Sequence, residues 1–271
     1  MRLAVTTARS SRPGHHERAA ILAARFSLHG FDSAVVTRVG TDAMFDGCDA
    51  LYVVGRGHDS LLLPEAHPTF VQPGLLVIKV GEGRRHPLIR AVCGSDVDGD
   101  LPDSVLDLTA GLAGDALHVA EILTGTRVSA CEGSVVLHAL LEEGLPRLAR
   151  DKTWGDAAAR ITLIPRAQDH LEHLRSLQTG SFDVVMLDPM MRRPMKSQPS
   201  FQGLRRFAVA EPPSTEVIDE ARRVARRRVV YKHARDQRAP IDLEALGFGV
   251  GERGAHITYR VLDVVAAAGG A

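Results

Sequence analysis

The sequence predicts an α/β protein, a mostly parallel sheet flanked by helices and preceded by a smaller α/β N-terminal domain. Three observations predict it. Short apolar runs such as VLDL and FDVVML alternate with stretches of helical periodicity from residue 104 onward. Those runs are apolar at nearly every residue, as strands buried on both faces require. A stretch rich in Gly, Asp and Pro, GEGRRHPLIRAVCGSDVDGDLPDS, separates this regular part from the less regular beginning and puts a boundary near residues 83–103.

In chain order, the first part reads as a strand at Leu3–Thr6, a helix at His16–Leu28, and strands at Ala34–Thr37, Leu51–Val54 and Leu75–Val80. The second part reads as strand Ser104–Leu108, helix Asp115–Leu123, strand Arg127–Cys131, helix Ser134–Ala149 and strand Ile161–Ile164. Helix Asp169–Leu177, strand Phe182–Leu187, helix Thr215–Ala225 and strand Arg228–Lys232 follow, and a hairpin from Phe248 through Tyr259 to Val265 closes the pattern. The expected division is an N-terminal α/β extension over 1–85, a main domain over 86–265 and a frayed AAAGGA tail over 266–271.

Composition narrows the functional classes. With 271 residues, 45% apolar and 24% charged, the chain can bury a sizeable core. Its formal net charge is zero, so no whole-protein field draws a polyanion. The basic residues are nevertheless clustered. Between Pro189 and Ala210 there is no acid, while Arg192, Arg193, Lys196, Arg205 and Arg206 are all cationic. From Arg222 to Arg238 the only acid is Asp236. Such runs either meet phosphates or form solvated helix faces. Three widely spaced cysteines without a CxxC pair speak against a disulfide framework or a zinc site. Adjacent His15 and His16 cannot share a helix face, so no metal is expected there. There is no signal-peptide core and no membrane-span pattern, so a cytoplasmic protein is expected.

In parallel sheets ligands bind beyond the carboxyl ends of the strands, at the switch point. After the first strand of the main domain comes DLTAGLAGDA, residues 107–116, where Gly111 and Gly114 let backbone approach a ligand and a helix N-terminus follows. Asp107, Thr109, Gly111, Gly114 and Asp115 are the candidate contacts in this turn; Asp107, buried at a strand end, needs donors and would fix the turn's backbone or reach a ligand amine through water. Glu132, at the end of the next strand, is spaced to accept the ribose hydroxyls of an adenosine. A nicotinamide dinucleotide would want G-x-G-x-x-G, and a P-loop would want GK followed by Ser or Thr; neither is present. Asp115 stands where a phosphate would need positive potential, and a carboxylate there suits a cationic ligand, so S-adenosyl-L-methionine fits better. After the fourth strand, Asp188 and the exposed carbonyl of Pro189 face the place of an acceptor. Two acceptors gripping the N–H bonds of an exocyclic base amine would aim its lone pair at a methyl group.

These residues resemble a known family. VLDLTAGLAGDALHVA, CEGS, DVVMLDPMMRRPMKS and RRVARRRVVYK are similar to the RsmJ-type methyltransferases, of the class I, Rossmann-like, adenosylmethionine-dependent group. The resemblance runs from about residue 86 to the last strand. It implies methylation of the exocyclic N2 amine of a guanine in 16S ribosomal RNA, with the small ribosomal subunit or its RNA as partner and no membrane or metal. It also implies cofactor contacts at Gly114, Asp115, Glu132, Gly133, Gln168, Asp169 and Asp188, and RNA phosphates held by Arg192, Arg193, Lys196 and Lys232. Phe201 and Phe207 are the candidate base stackers, since aromatic residues are only 4% of the chain. The sequence departs from the pattern at Ala113, where many class I enzymes carry Gly, and at Gln168-Asp169, where small polar residues are commoner. Methyl transfer to another nucleic acid or a small molecule, and a non-catalytic nucleotide- or RNA-binding protein on the same fold, stay open at this point.

Overall fold

The computed structural model describes residues 1–9, 11–36, 45–64, 66–74, 76–94, 99–190 and 202–264. A small N-terminal sheet has the order β1-β2-β3, with β1 (Leu3–Thr7) parallel to β2 (Ala50–Val54) and β3 (Ser60–Leu62) antiparallel to β2. Between β1 and β2 lies α1 (Pro13–Leu28), begun by a proline whose missing N–H costs nothing in the first turn. Its Ala19, Leu22, Ala23 and Phe26 share one buried face. The histidine pair serves locally: His15 Nδ1 accepts the Arg12 N–H, and His16 bonds the Ser11 hydroxyl.

Two expected strands come out differently. Ala34–Thr37 reduces to one bridge between Val35 and Val5, and Thr37 lies outside the described residues. The run expected as strand Leu75–Val80 is a helix, α2 (Leu76–Val80), with Leu75 outside the described residues. Five apolar residues do not reveal their period. Here Leu76 and Lys79 both line the central cavity, which residues three apart do on a helix and not on a strand. The Gly/Asp/Pro-rich boundary also holds a helix, α3 (Pro87–Cys93), whose first turn is capped by His86 accepting the Leu88 N–H.

The main sheet is built from β4 (Ser104–Asp107), β5 (Arg127–Ala130), β6 (Ile161–Leu163), β7 (Phe182–Leu187), β8 (Ala225–Ala234), β9 (Gly249–Arg253) and β10 (Ile257–Asp263). Its order is β6-β5-β4-β7-β8-β10-β9, parallel through β8, with β10 antiparallel to both β8 and β9. The helices are α4 (Gly114–Ile122), α5 (Val135–Leu148), α6 (Gly155–Ala159), α7 (His170–Ser176), α8 (Gln202–Phe207) and α9 (Thr215–Val224). Alternate strand residues feed two cores. Val105, Val184, Met186 and Val230 join one, and Leu106, Val185, Leu187 and Val229 join the other. The first core also takes in Leu3, Phe26, Tyr52 and Val71, so the small sheet shares a hydrophobic interior with one face of the large one. No helix among the described residues is long and apolar enough to cross a membrane.

The arginine run near residue 225 is largely consumed by the fold. β8 starts at Ala225, earlier than the sequence suggests, which brings Arg226 and Arg227 to Asp183 and Arg228 to Asp263. Arg223 pairs with Glu220 and donates to the carbonyls of Leu174 and Leu177.

Candidate active site

The chain reverses its winding between β4 and β7, so the loops that follow these strands diverge and leave a crevice at their carboxyl ends. The turn after β4 is wired to its neighbours on both sides. Leu108 N–H donates to Met186 O, and Ala110 N–H to Cys131 O, each at 3.0 Å. Asp107 Oδ1 accepts the Thr109 N–H at 3.0 Å, and the Thr109 hydroxyl accepts the Asp188 N–H at 2.6 Å. Asp107 thus holds the turn's backbone, and Thr109 joins the two loops across the switch point. Gly111 and Ala113 both have left-handed backbones, with φ of 57° and 61°. Only Ala113 bears the steric cost, about 1 kcal/mol, which a glycine there would avoid. A side chain built on Gly114 would meet nothing within 4 Å, and the residue lines the cavity.

Glu132 ties β5 to the same turn: Oε2 accepts the Gly111 N–H and Oε1 the Ser134 N–H, each at 2.7 Å. Burial pushes its pKa up to about 7 against these donors. Burial likewise raises Asp107 to about 8, with the anions of Asp115 and Asp188 adding to the rise. A carboxylate has about four lone-pair sites, so Glu132 keeps capacity for further donors from the cavity.

A four-charge cluster closes the other side. Lys232 Nζ lies 2.5 Å from Asp115 Oδ2 and 2.5 Å from Asp188 Oδ2, and Lys79 Nζ lies 3.0 Å from Asp115 Oδ1. Burial favours the neutral form of Asp115, but the two lysines outweigh it and hold the carboxyl well below the usual range. Asp188 is raised by burial; Lys232 opposes that rise and Asp115 adds to it. The cluster shows how two of the expected site residues are held. Asp115 does not offer a bare anion to a cationic ligand, since both its oxygens already carry lysines. Lys232, expected on RNA phosphates, turns inward between two carboxylates.

One cavity of about 380 Å³ gathers the candidate groups: Asp107, Thr109, Gly111, Gly114, Asp115, Glu132, Asp188, Pro189 and Lys232 all line it. Gln168 and Asp169 do not. The Gln168 amide is bound to His173 Nδ1 at 2.6 Å, and Asp169 caps α7 by accepting the N–H groups of Leu171 and Glu172. The neighbouring His170 lines the cavity instead. Gly133 packs beside it, where a Cβ would come 2.9 Å from Val209 Cγ2. Phe207 is buried and stacks on Phe31, so it belongs to the core and not to a base platform. Arg192, Arg193, Lys196 and Phe201 lie outside the described residues.

The N-terminal part supplies what sequence reasoning missed. Thr69, Phe70, Gln72 and Lys79 line the cavity, and Phe70 is backed by the His58 ring at a centroid distance of 4.2 Å. Gly203 and Gly144 let this segment close in, since a side chain at either would collide with Thr69 or Val71.

The sheet order, with its reversal between β4 and β7 and its antiparallel last pair, places the molecule among the class I methyltransferase folds. Residues 76–244 match the family described as "Putative SAM-dependent methyltransferase", SAM being S-adenosylmethionine, and the chain belongs to that family. Ribosomal RNA small subunit methyltransferase J of Nitrosococcus oceani is 35% identical over 159 residues, covering 57% of this chain and 60% of that protein. The chain thus spans less than two thirds of that relative's length. The uncharacterized protein YpiP of Bacillus subtilis is 30% identical over 209 residues, 75% of this chain and 77% of its own. A crystal structure of a SAM-dependent methyltransferase from Neisseria gonorrhoeae shares the fold, with a TM-score of 0.63 and 21% identity over 97% of both chains.

Proposed function

We propose that this protein transfers a methyl group from S-adenosylmethionine to the exocyclic N2 amine of a guanine in small-subunit ribosomal RNA. The observation that carries the reading is the placement of Asp188 and Pro189 in one cavity with the Gly111/Gly114 turn and Glu132. The similarity to the small-subunit RNA methyltransferases J supports the substrate class.

The residues present fit this cofactor. Gly111 and Gly114 leave backbone uncovered, and the cavity offers carboxylates without a glycine-cradled phosphate site. When bound, S-adenosylmethionine supplies an electrophilic methyl group on a sulfonium. Glu132 takes the ribose hydroxyls with the lone pairs that Gly111 and Ser134 leave free. Asp188 and the Pro189 carbonyl accept the two N–H bonds of the acceptor amine. The nitrogen lone pair, delocalised into the base ring when the amine is planar, is then freed toward the methyl carbon. As positive charge develops on nitrogen, the Asp188 carboxylate stabilises it and afterwards takes the proton. Asp107 and Thr109 keep the two loops in register for this step.

Residues 86–265 form the methyltransferase unit in this reading, and residues 1–85 present the acceptor. The cavity wall from Thr69 to Lys79 supports a role for the extension in the site. Arg192, Arg193 and Lys196 hold RNA phosphates next to the acceptor, positioning without reading sequence. The test is transfer of tritiated methyl to ribosomal RNA or small subunits from a strain lacking the protein, with mapping of the modified nucleotide. Label at a guanine N2 supports the reading; no incorporation into any RNA overturns it. Neutralising Arg192 and Arg193 together should weaken RNA binding and lower the slope of log affinity against log salt by about two.

A further inference from the structure

We propose that Lys232 is the positioning residue of the acceptor carboxylate: anchored on Asp115, it takes Asp188 Oδ2 and leaves Oδ1 for the acceptor amine. The inference rests on the reading of Asp188 as the group that grips the acceptor. Its basis is the geometry of the two strands. β7 and β8 are parallel neighbours with Leu187 opposite Tyr231, so the next residues lie side by side: Asp188 just past the end of β7, and Lys232 still within β8, where it pairs with Tyr259 of β10. The ammonium then sits 2.5 Å from each of two carboxylates, one on each side of the crevice. Lys232 and Asp115 are nearly closed off, with side chains 13% and 12% exposed, whereas Asp188 keeps 34% of its side-chain surface open. Among the described residues Asp188 Oδ1 has no hydrogen-bond partner.

A flexible carboxylate beside a cavity would sample several rotamers, and burial would favour its protonated form, which accepts less well. A fixed ammonium works against both: it selects one rotamer and opposes the rise that burial imposes. Lysine suits this place as a compact point charge, because a guanidinium fork would cover both oxygens. Asp115 prevents the lysine from following Asp188 into the cavity, and Lys79 balances Asp115 from α2. The charged and titratable groups facing Asp188 are Lys232 and Tyr231 from β8, Asp115 from α4, Lys79 from α2, Asp107 from β4 and Tyr259 from β10.

The test reads Asp188 directly, through the ¹³C titration of its carboxyl, assigned by the loss of that signal in Asp188→Asn. Lys232→Met removes the cation, so the midpoint should move up by about one pH unit or more. Asp115→Asn removes a neighbouring anion while Lys232 stays on Asp188, so the midpoint should move down. Lys232→Arg should keep the midpoint at or below the parent value, while its fork, covering both oxygens, lowers kcat. At saturating cofactor and RNA, the acid limb of kcat should follow the same opposite shifts, with kcat of Lys232→Met about tenfold lower or less. A midpoint unmoved in both Lys232→Met and Asp115→Asn would make the cluster structural and overturn the inference. If Lys232→Met fails to fold, the Asp115→Asn and Lys232→Arg pair decides. Undiminished turnover in Asp188→Ala would instead defeat the functional reading, whatever the titrations show.

Discussion

Strand β7 has an aspartate at each end, Asp183 at its start and Asp188 one residue past its finish, and the two are held in different ways. Asp183 Oδ2 accepts the N–H groups of Asp103 and Ser104 at 2.8 and 3.1 Å, and Oδ1 takes Arg226 Nε at 3.0 Å. Burial alone would raise its pKa, but Arg226 and the backbone donors bring it below the usual carboxylate range. Asp188 has one lysine on one oxygen, faces a cavity, and is raised. Both are acids against a cation on β8. The first staples the amino ends of three strands; the second, among the described residues, keeps one oxygen for a substrate. Unspent hydrogen-bonding capacity beside a cavity, more than charge or burial, separates a site from a scaffold.

The sharpest way to break this comparison is to remove each aspartate. Asp188→Ala should lower turnover by about 10²-fold or more while cofactor binding, followed by calorimetry, persists. Near-parent turnover would put Asp188 in the same class as Asp183. Asp183→Ala should cost about 2–4 kcal/mol in urea unfolding, because it strips donors and Arg226 of one partner, yet leave turnover per folded molecule intact. Since the folded pKa of Asp183 is depressed, its contribution is present above the usual carboxylate range and lost as pH falls through the lowered value. Asp183→Asn should therefore flatten the acid side of the stability profile.

A smaller effect tests the raised acids on the cofactor side. The folded pKa values of Asp107, about 8, and Glu132, about 7, lie above the ordinary carboxylate range. Such groups contribute stability at low pH that is lost as pH climbs toward those values, so the free protein should become less stable between about pH 4 and 8. A cationic ligand with ribose hydroxyls favours both ionised forms. Its affinity should rise from pH 6 to 8, with protons released on binding and counted by calorimetry in two buffers. The smallest effect belongs to Ala113→Gly. Relief of a left-handed alanine, about 1 kcal/mol, is offset by the lost burial of a methyl and the added freedom of the unfolded chain. Denaturant midpoints should differ by about 0.5 kcal/mol or less, whereas Gly111→Ala, which also approaches Leu204, should destabilise by about 1 kcal/mol or more.

Much of the main sheet was legible because several of its strands carry short apolar runs and its longer helices a clear period. VLDL, RVSA and FDVVML each end where the chain turns polar, and those ends are where the cavity opens. The helix α2 was not legible, since its form is decided by which way Leu76 and Lys79 must point. Arg226 to Arg228 showed as basic but not as structural, because their acids, Asp183 and Asp263, are distant in sequence. Lys232 was expected to end its strand, but β8 continues to Ala234, and only the β7–β8 register shows that its neighbour is Asp188. Phe70 and Gln72 sit in a segment without period, so nothing local marks them as cavity wall.

The lysine hub also has a consequence for refolding, expected from loop-closure entropy. Lys232 and Asp115 are 117 residues apart along the chain, and β7 lies between the strand that carries one and the strand that leads into the helix of the other. Closing so long a loop must precede any reward from the charge pair. A chain halted just short of this step would be compact, with hydrophobic faces covered, and would still lack an aligned carboxylate. Maturation of the site thus trails maturation of the core, and recovery of activity should lag recovery of compactness on refolding.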